Sequence, residues 1–332
     1  MSTYASTFIV GFAPFIEAHL NKLFPDVTIL KTLDGLIVYK TSASWETLKK
    51  LDFLSNTYYV IADTNNVNLG VVNKLRNQKQ TLQNLPKNNK TFRIVVSKEN
   101  EMQAISEQLR RNLEESLTKL THLRVNRNLP DIEFWFLFRT EGYGFFGIRL
   151  TKHPDYKKIL PAGELRPELA NLLCLLAEPS NDDTFLDPFA GYGAIPFQRA
   201  KIRPYKKILA SDINHERLHF LKTKLKALKN ISILKEDALN LKSITDSSVD
   251  NVATDPPWGY YENTDTDFNV FYEQMLQELG RVLKSKGIAV ILTAKKEEFL
   301  ASLSKVFAFD LQVKYDILVS GKKAGVYKLV KK

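Results

Sequence analysis

From Phe185 onward, short apolar runs alternate with longer stretches of helical period. Phe185 to Asp187, Lys207 to Ser211, Ile231 to Leu234 and Val249 to Thr254 each read as a buried strand. Each ends at or shortly before an acid: Asp187, Asp212, Asp237 and Asp255. A helix-like stretch runs through Phe197 and Ala200, and another covers Phe271 to Lys284 ahead of an apolar run from Gly287 to Thr293. Strands and helices in alternation predict a parallel sheet with helices on both faces. The last segment breaks the pattern. Phe309 to Val319 and Ala324 to Val330 read as two strands joined by Gly321-Lys322-Lys323-Ala324, an antiparallel hairpin.

The first half follows a different pattern. Residues 1–50 predict a strand at Thr7 to Phe12, a helix at Pro14 to Leu23, and two strands, Thr28 to Lys31 and Gly35 to Tyr39, around the turn Asp34-Gly35. Residues 45–85 read as mostly helical with a strand near Thr57 to Ala62. Beyond them come a strand (Thr91 to Val96), a helix (Asn100 to Leu120) and two strands (Ile132 to Arg139, Gly144 to Leu150) that turn at Glu141-Gly142. Pro154 and Pro161 punctuate a linker, and Glu164 to Ala177 is helical in period. The expected division is 1–50, 51–150, a linker over 151–164, and 165–332.

Composition narrows the class. A chain of 332 residues, 44% apolar and 25% charged, carries ample core for two or three globular domains. Its formal net charge of +10 favours a polyanionic partner. Between Asp63 and Glu99 there is no acid, while Lys74, Arg76, Lys79, Lys87, Lys90 and Arg93 fall in that gap. Such a run either neutralises phosphates or forms a solvated polar linker. The single cysteine, Cys174, lies in the apolar run Leu172 to Leu176 and predicts neither a disulfide framework nor a cysteine zinc site. His215 and His219 stand four apart on a helix rich in lysine, a solvated face rather than a metal pair. No apolar stretch approaches the 18 residues of a membrane span, and Phe8 to Ile16 lacks the basic flank of a signal peptide. The expected compartment is the cytoplasm.

The candidate chemistry lies at the strand ends. Asp255-Pro256-Pro257-Trp258 offers a carboxylate and a carbonyl that can accept both hydrogens of an exocyclic base amine. The prolines fix the turn, and the indole gives a face for stacking. Asp187-Pro188-Phe189-Ala190-Gly191-Tyr192-Gly193 places glycines where backbone can approach a ligand, just before a helix start that favours anions. Asp212 follows about twenty residues after Gly191, where an acid can hold ribose hydroxyls, and Asp237 stands at the next strand end. A dinucleotide dehydrogenase would use similar geometry, but the third glycine of its G-x-G-x-x-G fingerprint is Pro196 here.

The D-P-F-x-G-x-G loop, Ser211-Asp212-Ile213-Asn214, Glu236-Asp237-Ala238 and Asp255-Pro256-Pro257-Trp258-Gly259 together resemble the class I S-adenosylmethionine-dependent methyltransferases. Within that class they resemble the RNA guanine-N2 methyltransferases that carry an N-terminal THUMP domain. The resemblance implies an α/β fold: a Rossmann-like methyltransferase sheet closed by an antiparallel hairpin, behind a ferredoxin-like segment and a THUMP-like RNA-binding region. It implies S-adenosylmethionine as cofactor, held by Asp187, Pro188, Ala190, Gly191, Gly193, Asp212, Ile213, Asp237, Ala238 and Asp255, with Ala162 to Pro167 lying over it. Asp255, Pro256 and Trp258 would be catalytic, with no metal required. The RNA, tRNA or another structured RNA, would meet Lys74, Arg76, Lys79, Lys87, Lys90 and Arg93. Two positions depart from the family: Tyr192 replaces a small residue of the loop, and Gln198 stands where Glu is frequent. An adenine-N6 DNA methyltransferase and an idle RNA-binding fold are the alternatives.

Overall fold

The computed structural model describes residues 1–77, 85, 91–151, 160–161, 163–259, 267–319 and 321–332. By packing, the chain divides into two units, one of Met1–Phe8 with Ala13–Pro154 and one of Ile9–Phe12 with Asp155–Lys332.

The first unit is built on one mixed sheet. Its strands are β1 (Ser2–Thr7), β2 (Thr28–Leu33), β3 (Leu36–Thr41), β4 (Asn56–Asp63), β5 (Thr91–Lys98), β6 (Glu101–Met102), β7 (Arg124–Val125), β8 (Ile132–Phe138) and β9 (Gly144–Arg149). They run in the order β2-β3-β1-β4-β9-β8-β5-β6, with β7 beside β5. Helices α1 (Ala13–Leu23), α2 (Trp45–Leu48), α3 (Leu69–Asn73) and α4 (Glu107–Thr121) join these strands, and a single 3-10 turn, Lys74–Asn77, follows α3. β1 pairs with β4, so strands on either side of residue 50 share the sheet.

Three expectations change here. The first strand is Ser2–Thr7 rather than Thr7 to Phe12, because β1 presents Tyr4 and Ala5 to the core from a polar-looking run. The long helix starts at Glu107, not Asn100: Ser106 caps it by accepting from the Leu109 N–H at 3.3 Å, and Glu101–Met102 pairs with β5 instead. Residues 45–77 hold only short helical pieces around β4.

The second unit is a parallel sheet with an antiparallel close. Its strands are β10 (Thr184–Asp187), β11 (Lys207–Ser211), β12 (Ile231–Leu234), β13 (Val249–Thr254), β14 (Leu283–Thr293), β15 (Phe309–Val319) and β16 (Lys322–Lys331), in the order β12-β11-β10-β13-β14-β16-β15. β10 to β14 pair in parallel, whereas β16 runs antiparallel to both β14 and β15. Its helices are α5 (Pro167–Leu176), α6 (Ala194–Ile202), α7 (His215–Leu225), α8 (Phe268–Val282) and α9 (Lys296–Lys305). α8 buries Tyr272, Met275, Leu276, Leu279 and Val282, a stripe at three- and four-residue spacing, against Leu186, Val252, Ala289 and Ile291 of the strands. Asp267 starts α8 by accepting from the Asn269 N–H at 2.9 Å, a cap worth about 1 kcal/mol.

The amino ends of the central strands are locked by a buried ion pair. Arg199 is fully buried and grips the Asp183 carboxylate, the Ser180 carbonyl at 2.9 Å and the Arg203 carbonyl at 3.0 Å. Asn251 of β13 donates to the other oxygen of Asp183 at 3.0 Å, and the Ser180 N–H donates to that same oxygen at 3.2 Å. This clamp fixes β10 against β13, the pair whose other ends carry the candidate chemistry.

Candidate active site

β10 and β13 lie side by side, so Asp187 and Asp255 emerge next to each other at their carboxyl ends. Asp187 is buried. Its Oδ1 accepts from the Thr254 hydroxyl at 2.8 Å and from the Phe189 N–H at 3.2 Å. Burial pushes its acid up to about 7; those two hydrogen bonds oppose the shift and the nearby Asp212 charge adds to it. Asp255 is partly exposed, and its Oδ1 accepts the indole N–H of Trp258 at 2.9 Å. Crowding by protein raises its acid well above the usual carboxylate range; the Trp258 bond opposes this and Asp187 reinforces it. Among the described residues no other donor reaches the Asp255 carboxylate. Among the described residues neither acid has a cationic partner.

The glycine turn is organised by the neighbouring strand. Asp212, buried at the end of β11, accepts from the Gly191 N–H at 2.8 Å with Oδ2 and from the Asn214 N–H at 2.8 Å with Oδ1. Gly191 has φ +51°. A Cβ there would meet only the Phe189 carbonyl oxygen, at 3.9 Å, so glycine is required by the backbone and leaves open space above it. Pro188 and Ala190 are buried beneath the turn. Ile213 is 65% exposed, a large apolar side chain left in water beside the turn. Tyr192, the residue that departs from the resemblance, packs edge-on to Phe220 with ring centres 5.4 Å apart. Gln198 is buried and accepts from Asn171 at 3.2 Å, a neutral pair between α5 and α6. Asp237 is exposed, with Oδ1 accepting the Leu239 N–H at 2.9 Å, while Ala238 is buried.

The wall behind Trp258 was not foreseen from sequence. A Cβ at Gly259, φ +72°, would strike the Phe268 ring at 2.8 Å, so the loop lies flat on that ring. The Lys295 ammonium sits 4.9 Å from the centre of the same ring. Below it, the hydroxyls of Tyr272 and Thr293 are 2.7 Å apart, and the Lys295 N–H donates to Thr293 Oγ1 at 2.9 Å. These groups come from the carboxyl end of β14 and the first turns of α8, which the sheet order alone brings beside Asp255.

In the first unit the expected RNA contacts separate. Lys74 and Arg76 are exposed on the turn after α3. Lys79, Lys87 and Lys90 lie outside the described residues. Arg93 pairs with Glu133 at 2.5 Å, whose other oxygen accepts from Arg149 and from the Trp135 indole, each at 3.0 Å. Burial alone would raise the Glu133 acid, but the indole N–H and the two guanidinium groups hold it below the usual range. Arg93 is therefore committed to a structural network.

Comparison with known proteins follows these landmarks. Residues 154–317 match a family model described as RMKL-like, methyltransferase domain. A tRNA (guanine(6)-N2)-methyltransferase of Thermus thermophilus is 27% identical over 224 residues, 66% of this chain and 66% of that protein. About a third of the Thermus protein's length is therefore unmatched. A probable tRNA (guanine(10)-N2)-dimethyltransferase of Methanothermococcus thermolithotrophicus is 31% identical over 137 residues, 39% of this chain and 81% of that one. The crystal structure of TrmN from Thermus thermophilus superposes with a TM-score of 0.77 over the full length of both chains at 21% identity, a likeness of fold.

Proposed function

The chain belongs to the RMKL-like methyltransferase family, and from that premise we propose that it transfers a methyl group from S-adenosylmethionine to the exocyclic N2 of a guanine in tRNA. The observation that carries this reading is the Asp255 carboxylate, held through one oxygen by Trp258 at the carboxyl end of β13. Relatives named for guanine-N2 methylation support the choice of base and of RNA. The compartment in this reading is the cytoplasm. Among the described residues, no helix is long and apolar enough to cross a membrane.

The residues present fit the cofactor. The space over Gly191 is open, Asp212 beside it has only Arg217 at 3.9 Å as a cationic neighbour among the described residues, and Ile213 offers an apolar surface for a flat ring. Asp187, Pro188, Ala190, Gly191 and Gly193 would form the cradle. Asp212 already accepts two N–H bonds, but each carboxylate oxygen has a second lone pair for a ribose hydroxyl. Asp237 and Ala238 would border the adenine. When bound, S-adenosylmethionine supplies an electrophilic methyl on a sulfonium.

The chain's own part is positioning and proton handling. Trp258 fixes Oδ1 of Asp255, which turns Oδ2 toward one amine hydrogen, while the Pro256 carbonyl takes the other. That arrangement aims the nitrogen lone pair at the methyl, and positioning of this kind can lower a barrier by roughly 7–11 kcal/mol. Once methylated, the amine nitrogen would have to shed a proton, and the raised acid of Asp255 suits it to accept one. The guanine must leave its stack, which costs a few kcal/mol. The Trp258 face and the Phe268 wall would offset part of that cost. Lys74 and Arg76 are the exposed phosphate contacts of this reading.

Incubation of the protein with unmodified tRNA and labelled cofactor, followed by nucleoside mass spectrometry, tests it. N2-methylguanosine is expected. N6-methyladenosine, from RNA or DNA, overturns the choice of base, and no labelled nucleoside overturns the activity.

A further inference from the structure

Among the described residues, Glu168 is a group whose burial the fold itself does not explain. It lies in the first turn of α5, is 1% exposed, and its Oε2 is buried without a hydrogen-bond partner. Among the described residues it makes no ion pair. The helix amino end offsets part of the cost of burying that charge. A buried carboxylate without donors still costs several kcal/mol unless something else completes it.

Its position is bracketed from both sides. Four residues earlier, Glu164 pairs with Lys224, whose Cδ would lie 3.6 Å from a Cβ on Gly193. One turn later, Asn171 donates to Gln198 at 3.2 Å, and Cys174 Sγ approaches the Ile195 carbonyl at 3.5 Å. Glu164 thus lies near Gly193, through Lys224, and Asn171 lies beside Gln198, so α5 and α6 run side by side in the same sense. At 1.5 Å per residue, Glu168 falls about 4.5 Å above Asn171, between the levels of Gly193 and Gln198 and so beside the first turn of α6.

We propose that Glu168 binds the α-ammonium of the cofactor's amino-acid end, and that this cation is the partner its buried oxygen lacks. The inference rests on the cofactor reading above. It adds a carboxylate that the motif loops do not contain, from the helix that precedes the sheet. Asp187 and Asp255 lie at neighbouring strand ends with no cationic partner among the described residues, so a positively charged ligand end is favoured over an anionic one.

Calorimetry with three ligands tests the assignment: S-adenosylmethionine, S-adenosylhomocysteine, and methylthioadenosine, which lacks the amino-acid end. Glu168→Gln is expected to weaken the first two about ten- to a hundredfold, the range for a charged hydrogen bond, and to leave methylthioadenosine unchanged. Its ligand-free melting temperature should hold or rise. Should that variant fail to fold, Glu168→Asp, which keeps the charge but withdraws it, should give the same selective loss in smaller measure. Unchanged affinity for all three overturns the proposal. So does a loss for S-adenosylmethionine alone, which marks a sulfonium contact, or an equal loss for all three with a lower melting temperature, which marks a structural role. Wild-type protein that binds none of the three defeats the cofactor reading itself.

Discussion

The two ends of the parallel sheet bury acids on opposite terms. At the amino ends, Asp183 is saturated: Arg199, Asn251 and the Ser180 N–H occupy both of its oxygens. At the carboxyl ends, Asp187 and Asp255 take hydrogen bonds from neutral groups only among the described residues, and in the helix that precedes the sheet Oε2 of Glu168 takes none. A buried charge with its counter-charge holds strands together; one without a counter-charge works against folding. The carboxyl ends of β10 and β13 keep Asp187 and Asp255 side by side without such a counter-charge among the described residues, the pattern expected of an end shaped by a ligand rather than by stability.

The largest break in this contrast is Asp255→Ala. Methyl transfer should fall about 10²–10⁴-fold, the range for a positioned acid–base group, while the melting temperature is kept or raised. Single-turnover assays beside thermal melts read both; full activity in the variant sinks the mechanism. The opposite end should behave in reverse. Arg199→Met strands Asp183 without its cation and should cost about 3–5 kcal/mol of stability in denaturant titration. A variant as stable as wild type would mean that the clamp contributes nothing.

Next comes pH. Unfolded Asp187 releases its proton near 3.8 and folded Asp187 near 7. Between those values the folded, ligand-free protein holds one more proton. This contribution is therefore complete below about pH 4 and is lost as pH rises to 7, at most on the order of 4 kcal/mol. Comparing wild type with Asp187→Asn across that window isolates it: the wild-type curve should fall relative to the variant as pH rises, and parallel curves would refute the shift. The smallest effect concerns Trp258. Phenylalanine keeps a stacking face but cannot donate to Asp255, so Trp258→Phe should still lose about 1.5–3 kcal/mol, the range for a hydrogen bond to a charged group, expressed mainly in kcat. Recovery of the full rate would reduce Trp258 to a stacking platform.

What could be read from sequence follows the same division. β11, β12 and β13 have the bounds their apolar runs predict, because parallel strands buried on both faces leave continuous signals with sharp ends. The acids, the glycine turn and the D-P-P-W segment were legible because they are local. Partnerships were not. Arg93 reads as a phosphate contact, and nothing local shows that it also pairs with Glu133, forty positions away. Trp258 reads as a ring, yet its orientation puts its N–H on a residue only three positions back. Glu168 looks like an ordinary first-turn acid of a helix; only packing reveals that it is buried without a partner. β1 was misplaced because Ser2–Thr7 is polar in composition, and its burial comes from paired strands on both sides.

The sheet order β14-β16-β15 sets a constraint on the timing of folding. β16 is made after β15, yet it lies between β15 and the rest of the sheet. As the chain leaves the ribosome, Phe309–Val319 can meet the one strand it pairs with among the described residues only when Lys322–Lys331 has followed it out. Until then β14 presents a bare edge beside the Asp255 loop, the kind of surface that invites pairing with another chain. Completion of the binding region is thereby tied to the arrival of a strand that contributes none of its candidate residues.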